Sequence, residues 1–190
     1  MGVYLVSIDG REWFGEEEGG HGDVAAALND ELRARGLPPY DTVSGPDRGW
    51  FEEKVSPSMT GFDALCRARL SDAERETLQD WTVLVPLSLE KPIPLPIGSW
   101  FADETVIAGA PQVLALAERL AGFLGLPLDA IPATGANLEL TAWFMDGSAG
   151  GLAATRPGPW SDDLDTAFYV ALYLRAAQYS LRYGCPLTYS

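Results

Sequence analysis

The sequence predicts a single α+β domain over residues 1–190, with a small mixed sheet and about five helices packed mainly on one face. Two observations support this fold class. Short β-branched or aromatic segments interleave with longer helical patterns at irregular spacing, and the last predicted element is a long helix. An irregular α/β arrangement is the alternative. The composition is that of a globular chain, since 47% of the residues are hydrophobic and 21% are charged.

The first predicted element is a strand over residues 3–8, VYLVSI, which ends at an Asp-Gly turn signal. Because its apolar residues are almost continuous, we expect both of its faces to be covered. Residues 11–14 suit a short strand or a turn. A helix is predicted over residues 23–35, with Asp23 as its N-cap and Gly36 as its terminator.

Two helices are predicted in the next part of the chain, after a loop. Residues 38–57 are rich in Pro, Gly and Asp and predict an irregular loop pinned by aromatic side chains. The first helix is predicted to begin near Thr60. Ser71 and Glu74 match the S-x-x-E capping box, which predicts a second helix that ends near Trp81.

Extended segments precede the clearest helix of the central region. Residues 82–89 predict a strand, and Pro86 favours an edge position or a bulge for it. Residues 91–98 contain three prolines and must be extended. A short strand is predicted over residues 104–107. Residues 111–124 then predict a helix, since a proline stands near its start and its apolar face is broad.

The last third of the chain contains the longest predicted element. Residues 137–145 alternate well enough to predict a strand, and residues 146–159 read as a Gly- and Pro-rich loop. A helix of about six turns is predicted over residues 162–183, with Ser161 as its cap. We expect the apolar and aromatic segment 186–190 to dock on the body of the protein.

Charge and motifs argue against several classes of function. The net charge of −14 disfavours binding to nucleic acids and to anionic membranes. The sequence has no P-loop, dinucleotide-binding, serine-hydrolase or kinase signature, and it predicts no cofactor. Cys66 and Cys185 predict free thiols in a cytoplasmic protein. No apolar run reaches the ~18 residues typical of a transmembrane helix.

An acidic, glycine-rich segment, GEEEGGHGDV, contains the only histidine of the chain. Its carboxylates are oxygen ligands of the kind that Ca²⁺ and Mg²⁺ prefer. The candidate ligands are Glu16, Glu17, Glu18 and Asp23. The ordered ligand spacing of an EF-hand loop is missing, so we favour a solvated acidic lead-in to a helix over a metal site.

A carboxylate-based enzyme is a second hypothesis, with Asp9, Glu12 and His21 as the candidate catalytic residues. Asp9 directly follows the first predicted strand, a position that often carries a site. Two carboxyl groups suffice for general acid–base chemistry if burial separates their pKa values. The hypothesis requires the candidate side chains to converge in one pocket.

Aromatic pairs beside carboxylates form the third candidate site. The dipeptide Trp-Phe occurs four times, and acidic residues adjoin each occurrence. Neighbouring residues of a strand point to opposite faces, so one ring of a pair can enter the core while the other stays at the surface. Core packing explains the same rings without a ligand, whereas exposed ring faces would attract Arg and Lys. The candidate partner-binding residues are Trp50, Glu52, Glu53, Trp100, Asp103 and Glu104.

These observations favour a non-enzymatic acidic domain that binds a basic protein, in the manner of an inhibitor or an immunity protein. The net charge, the missing catalytic signatures and the aromatic–acid pairs support this hypothesis. A small carboxylate-based enzyme and a domain that binds a hydrophobic small ligand are the alternatives.

Overall fold

One mixed sheet of six strands lies at the centre of the fold, in the part of the chain that the structure describes. The structure is a computed structural model, and it describes residues 2–16, 20–42, 50–98, 102–133 and 137–190. The strands are β1 (Val3–Ser7), β2 (Glu52–Val55), β3 (Val83–Val85), β4 (Ile93–Leu95), β5 (Thr105–Gly109) and β6 (Leu187–Tyr189). Their order is β2-β1-β6-β3-β5-β4, and β3 and β5 form the parallel pair.

The first strand lies inside the sheet, as its continuous apolar pattern predicts, but the expectation that both of its faces are covered is wrong. Leu5 and Ser7 are buried on one face, whereas Tyr4 and Val6 on the other face are only half-buried. β1 pairs with β2 on one side and with β6 on the other. The docking predicted for the C-terminal segment is confirmed, because this segment inserts between β1 and β3 as strand β6. Backbone hydrogen bonds of 2.8 and 2.9 Å also join Tyr4 and Ser190.

Eight helices surround the sheet within the described residues, more than the five that the sequence indicates. They are α1 (Gly10–Trp13), α2 (Gly22–Ala34), α3 (Thr60–Arg69), α4 (Asp72–Gln79), α5 (Ala110–Leu124), α6 (Glu139–Met145), α7 (Ser148–Thr155) and α8 (Leu164–Tyr183). A short 3₁₀ turn, Pro159–Ser161, precedes α8. The predicted α+β class with a long C-terminal helix is confirmed. None of the helices in the described ranges combines the length and the apolar character needed to cross a bilayer.

The two faces of the sheet carry cores of different size. Leu84 of β3 packs in the larger core, to which helices α3 to α8 contribute. Its neighbours Val83 and Val85 belong to the smaller core, which α1 and α2 cover. Because successive side chains of a strand point to opposite faces, most helices pack on one face, as predicted.

Helix α8 runs through the larger core and is buried continuously over residues 166–177. A helix that is buried on all sides needs small or apolar side chains, and most residues of this segment fit that requirement. Arg175 is the exception, with 7% of its surface exposed. Its guanidinium donates hydrogen bonds of 2.7 to 3.0 Å to the carbonyl oxygens of Leu128, Ile131 and Pro132, so its buried donors are satisfied.

Four predictions of local structure are wrong. Residues 11–13 belong to helix α1, with Phe14 as its C-cap, and residues 38–57 include strand β2. Residues 137–145 contain helix α6, and residues 146–159 contain helix α7. Contacts with residues distant in sequence explain why residues 137–145 are helical. The carboxylate of Glu53 accepts the N–H groups of Leu140 and Thr141, which gives α6 a cap that its own sequence does not supply.

The predicted helix ends are confirmed at some positions and wrong at others. The capping box of Ser71 and Glu74 is present, with hydrogen bonds in both directions. Gly36 has a φ of +71°, the left-handed backbone that ends a helix. Asp23 lies inside the first turn of α2 rather than at its N-cap, which is His21, and the His21 side chain makes no capping hydrogen bond.

Two further positions differ from the prediction. The side chain of Asp163, and not that of Ser161, accepts the N–H of Thr166 at the start of α8. Strand β3 lies inside the sheet and ends before Pro86, so this proline neither marks an edge nor forms a bulge. Pro94 instead lies in β4, an edge strand where its missing N–H is tolerated.

Candidate functional site

A cleft of about 800 Å³ opens on the sheet face that carries the smaller core. Its floor is formed by Val6, Val83 and Thr188, from the neighbouring strands β1, β3 and β6. Thr82 and Thr105 also line it. Clefts that bind small molecules or single side chains have volumes in this range, so the space is large enough to be functional.

The walls of the cleft carry its ionisable and aromatic groups. Glu12, His21 and Asp23 come from the segment around α1 and the start of α2, and Trp50 and Glu52 come from β2 and the residues before it. The fold therefore brings together members of all three candidate sites that the sequence suggests. We call this set of five side chains the acidic–aromatic wall.

Helix α1 positions Glu12, and Asp9 fixes the start of that helix. Oδ1 of Asp9 accepts the backbone N–H groups of Arg11 and Glu12, both at 2.8 Å. These bonds satisfy two of the N–H groups that a helix start leaves free. Asp9 is thus a capping residue, and it is not among the described residues that line the cleft.

Backbone contacts then bring His21 to Glu12. The N–H of His21 donates to the carbonyl of Glu12 at 3.0 Å, and the N–H of Gly22 donates to the carbonyl of Gly15 at 3.0 Å. A Cβ atom on Gly22 would lie 2.8 Å from that Gly15 oxygen. Glycine at position 22 is therefore required for this close approach.

The side chains of Glu12 and His21 face each other without a hydrogen bond. Nδ1 of His21 lies 3.9 Å from Oε1 of Glu12, which exceeds hydrogen-bond range. Nδ1 is fully buried and has no hydrogen-bond partner among the described residues, while 20% of the side chain stays exposed. The ring stacks on Trp13, with centroids 6.2 Å apart and planes inclined by 20°. The accessible edge of the imidazole is therefore the remaining one, which carries Nε2.

Burial moves both groups toward their neutral forms. Desolvation lowers the pKa of His21 below its ordinary value of 6.5. Desolvation, and then repulsion from Asp9, raises the pKa of Glu12. An ion pair between Glu12 and His21 would act in the opposite direction. At a separation of 3.9 Å the burial of both groups outweighs that attraction, so His21 is neutral near pH 7.

The cleft concentrates negative charge without a compensating cation. Glu12, Asp23 and Glu52 line it, and neither Lys nor Arg is among the described residues that do so. Asp23 and Glu52 form no ion pair with any described residue. Carboxylates that converge in a concave, partly desolvated space produce a focused negative potential.

Glu53 does not belong to this site, although the sequence places it among the partner-binding candidates. It points to the opposite face of the sheet and is fully buried. Its carboxylate accepts three hydrogen bonds from Leu140 and Thr141. Desolvation raises its pKa, and these hydrogen bonds oppose that shift. The role of Glu53 is to attach α6 to the edge strand β2.

The other predicted partner-binding residues are spread around the cleft. Asp103 and Glu104 are exposed on the connection between β4 and β5, whose residues Ile97 and Gly98 line the cleft. Asp103 and Glu104 do not line it themselves. Trp100 lies outside the described residues.

The metal alternative gains no support from the described residues. Glu17 and Glu18 lie outside them, and Glu16 and Asp23 are exposed. Both border a second hollow of about 530 Å³ beside the start of α2. Within the described ranges, no three His, Cys, Asp or Glu side chains are grouped so that they could hold a metal ion.

The prediction of split aromatic pairs is confirmed for two of them. Trp50 is 44% exposed and faces the cleft, while Phe51 is fully buried on the other face. Trp13 is fully buried and Phe14 is 44% exposed. The residues that the sequence analysis missed are those of the floor, such as Thr188. The alternation of a strand predicts which of its side chains share a face of the sheet. Only the order of the strands shows that the floor residues of different strands lie side by side.

No protein-family model, no curated protein and no solved structure matches this chain.

Proposed function

We propose that this protein is a binding domain whose acidic–aromatic wall receives a cationic group from a basic protein partner. The observation that carries the proposal is that Glu12, Asp23 and Glu52 line the same cleft as the exposed Trp50. These residues come from segments far apart in sequence. A site for a cationic group requires carboxylates and an aromatic ring on one accessible surface, and this cleft has both.

Electrostatics supports the same proposal at longer range. The chain carries 27 acidic and 13 basic residues, so a basic partner is attracted before contact. Carboxylates in the cleft then supply the local charge for a specific contact. An inhibitor or immunity-like role is one biological use of such a site, because those proteins block a basic partner by occupying its surface.

Direct binding of cationic peptides tests the proposal. Calorimetric titration of the full chain with hexalysine at low salt is expected to show one saturable site whose affinity falls as salt rises. Changing Glu12 and Glu52 together to Gln should weaken binding about tenfold or more, as expected for lost charge contacts in a partly desolvated cleft.

A matched control separates the cleft from overall charge. Glu76 and Glu118 are exposed on α4 and α5, which pack on the opposite face of the sheet. Changing both to Gln alters the net charge by the same amount and should leave the affinity within about twofold. Equal weakening by both double variants would overturn the proposal of a local site.

A second candidate function is general acid–base catalysis by Glu12 and His21. The specific observation in its favour is the neutral imidazole with Nδ1 directed at a carboxylate and its other edge accessible. If this second candidate holds, the cleft would bind a substrate with a cationic group, and Glu12 and His21 would catalyse its reaction. Activity of the intact chain on an amine-bearing ester should disappear in His21→Gln, while hexalysine binding persists.

A further inference from the structure

We propose that the cationic group received by the cleft is the guanidinium of an arginine side chain, stacked on Trp50 and bound by the carboxylate of Glu52. This inference rests on the proposed function and names the ligand chemistry of the same site. It follows from the shape and hydrogen-bonding pattern of the acidic–aromatic wall, which differ from what a lysine needs.

Trp50 and Glu52 lie on the same side of one extended segment. Phe51 and Glu53, the residues that alternate with them, are fully buried on the opposite face. Side chains two residues apart in extended chain project together, and both of these line the cleft. Val6, directly opposite Glu52 in the β1–β2 register, supplies an apolar floor between them.

The indole of Trp50 is available for stacking. Its side chain is large and apolar, yet 44% of the residue is exposed, and no ring of a described residue packs on it. Indole is the best aromatic partner for a cation, and a planar guanidinium stacks on it face to face. An ammonium group has no plane with which to do so.

The carboxylate of Glu52 supplies the second half of the recognition. Among the described residues, none forms an ion pair with this carboxylate. Two carboxylate oxygens match the parallel N–H donors of a guanidinium. A quaternary ammonium ligand has no N–H donor and would leave these acceptors unused.

His21 adds a further acceptor across the cleft. A neutral imidazole has one acceptor nitrogen, and Nε2 lies on the accessible edge of the His21 ring. In the tautomer that the proposal requires, the proton is on Nδ1 and the lone pair of Nε2 faces the cleft. A guanidinium carries five N–H donors on three nitrogens, enough to engage Glu52 on one side and this acceptor on another. The carboxylate of Asp23, which also lines the cleft, contributes charge at the rim.

Two peptides of equal length and charge distinguish this inference from general electrostatics. We expect the full chain to bind hexa-arginine about tenfold more tightly than hexalysine at the same salt concentration, because stacking and the paired hydrogen bonds are added to the charge. Trp50→Leu keeps an apolar side chain but removes the ring. It should abolish the preference for arginine, so that hexa-arginine and hexalysine bind the variant with affinities that agree within about twofold.

Phe123 provides the matched control. It is 46% exposed and lies on α5, on the other side of the sheet, where the guanidinium of Arg69 already covers it. Phe123→Leu should preserve the arginine preference. A preference that survives Trp50→Leu, or equal affinity for both peptides, overturns the guanidinium assignment and leaves the proposed function standing. Absence of binding by either peptide at low salt overturns both.

Discussion

Glu53 and Thr141 are joined by two hydrogen bonds of 2.7 Å, one from the backbone N–H and one from the hydroxyl of the threonine. They connect an edge strand to the start of a helix that is more than eighty residues away in sequence. The carboxylate of Glu53 is buried in this contact. Burial of a carboxylate is favourable only when its oxygens accept hydrogen bonds, as they do here.

Replacing Glu53 by Ala should lower the free energy of unfolding by about 2–3 kcal/mol, because the N–H groups of Leu140 and Thr141 lose their acceptor. Urea denaturation checks this value. Glu52→Gln, one residue earlier and directed to the cleft, should change stability by less than about 0.5 kcal/mol. Similar losses in both variants would contradict the capping role of Glu53.

The charged core residue Arg175 gives a second prediction. Arg175→Met should destabilise the protein by about 3 kcal/mol or more, since the carbonyls of Leu128, Ile131 and Pro132 lose their donors. Arg175→Lys should also destabilise, because an ammonium group cannot reproduce the planar fork. Arg67→Met, at an exposed position, is the control and should be nearly neutral. A stable Arg175→Met variant would refute this account.

Close packing between α3 and α8 predicts a strict need for glycine at position 61. A Cβ atom there would collide with the side chains of Asp163, which caps α8, and of Thr166, whose hydroxyl donates to the Asp163 carboxylate. Gly61→Ala should therefore cost about 1–3 kcal/mol. Gly122→Ala, in α5 with no atom near its Cβ position, should instead stabilise the fold by about 0.5–1 kcal/mol. Thermal unfolding checks this, because the melting temperature should fall for Gly61→Ala and rise for Gly122→Ala.

His21 predicts a pH dependence with a definite sign. Burial lowers its pKa in the folded chain below the ordinary 6.5, so the unfolded chain binds the proton more readily. The free energy of unfolding should rise with pH between the two pKa values and level off above 6.5. Comparison with His21→Gln isolates this contribution, because the chain has one histidine. An imidazole titration at or above 6.5, followed by NMR, would contradict the prediction.

The elements predicted correctly from sequence are those whose signals are local. Each of these signals involves residues within one or two helical turns of each other. Examples are the capping box at Ser71, the terminating Gly36 and the apolar face of α5. The alternation in residues 137–145 is equally local, yet this segment is helical because Glu53 caps it from another strand. Contacts of that kind cannot be read from the segment itself.

The candidate site, like the fold, could be predicted from the sequence only in part. The acidic and aromatic residues were recognisable by type, but they suggested three separate sites. One cleft unites Glu12, His21 and Trp50 because strand order and the α1 turn place them together. A related reason explains why the sequence does not separate Glu53, which is buried on one face, from Glu52, which lines the cleft on the other. A shift of one residue in a strand reverses the side, and the loop predicted for residues 38–57 gave no register.

The position of β6 affects how the protein can be assembled. It lies between β1 and β3, and it is the element that joins the β2–β1 half of the sheet to the β3–β5–β4 half. Its partner β1 is almost the whole sequence away, so this pairing has a very high contact order and closes late. During synthesis on the ribosome, β1 must wait with an unpaired edge until residues 187–189 emerge. The floor of the cleft, which includes Thr188, is completed at the same moment. Until β6 is in place, the unpaired edges of β1 and β3 are expected to make the incompletely folded chain prone to aggregation.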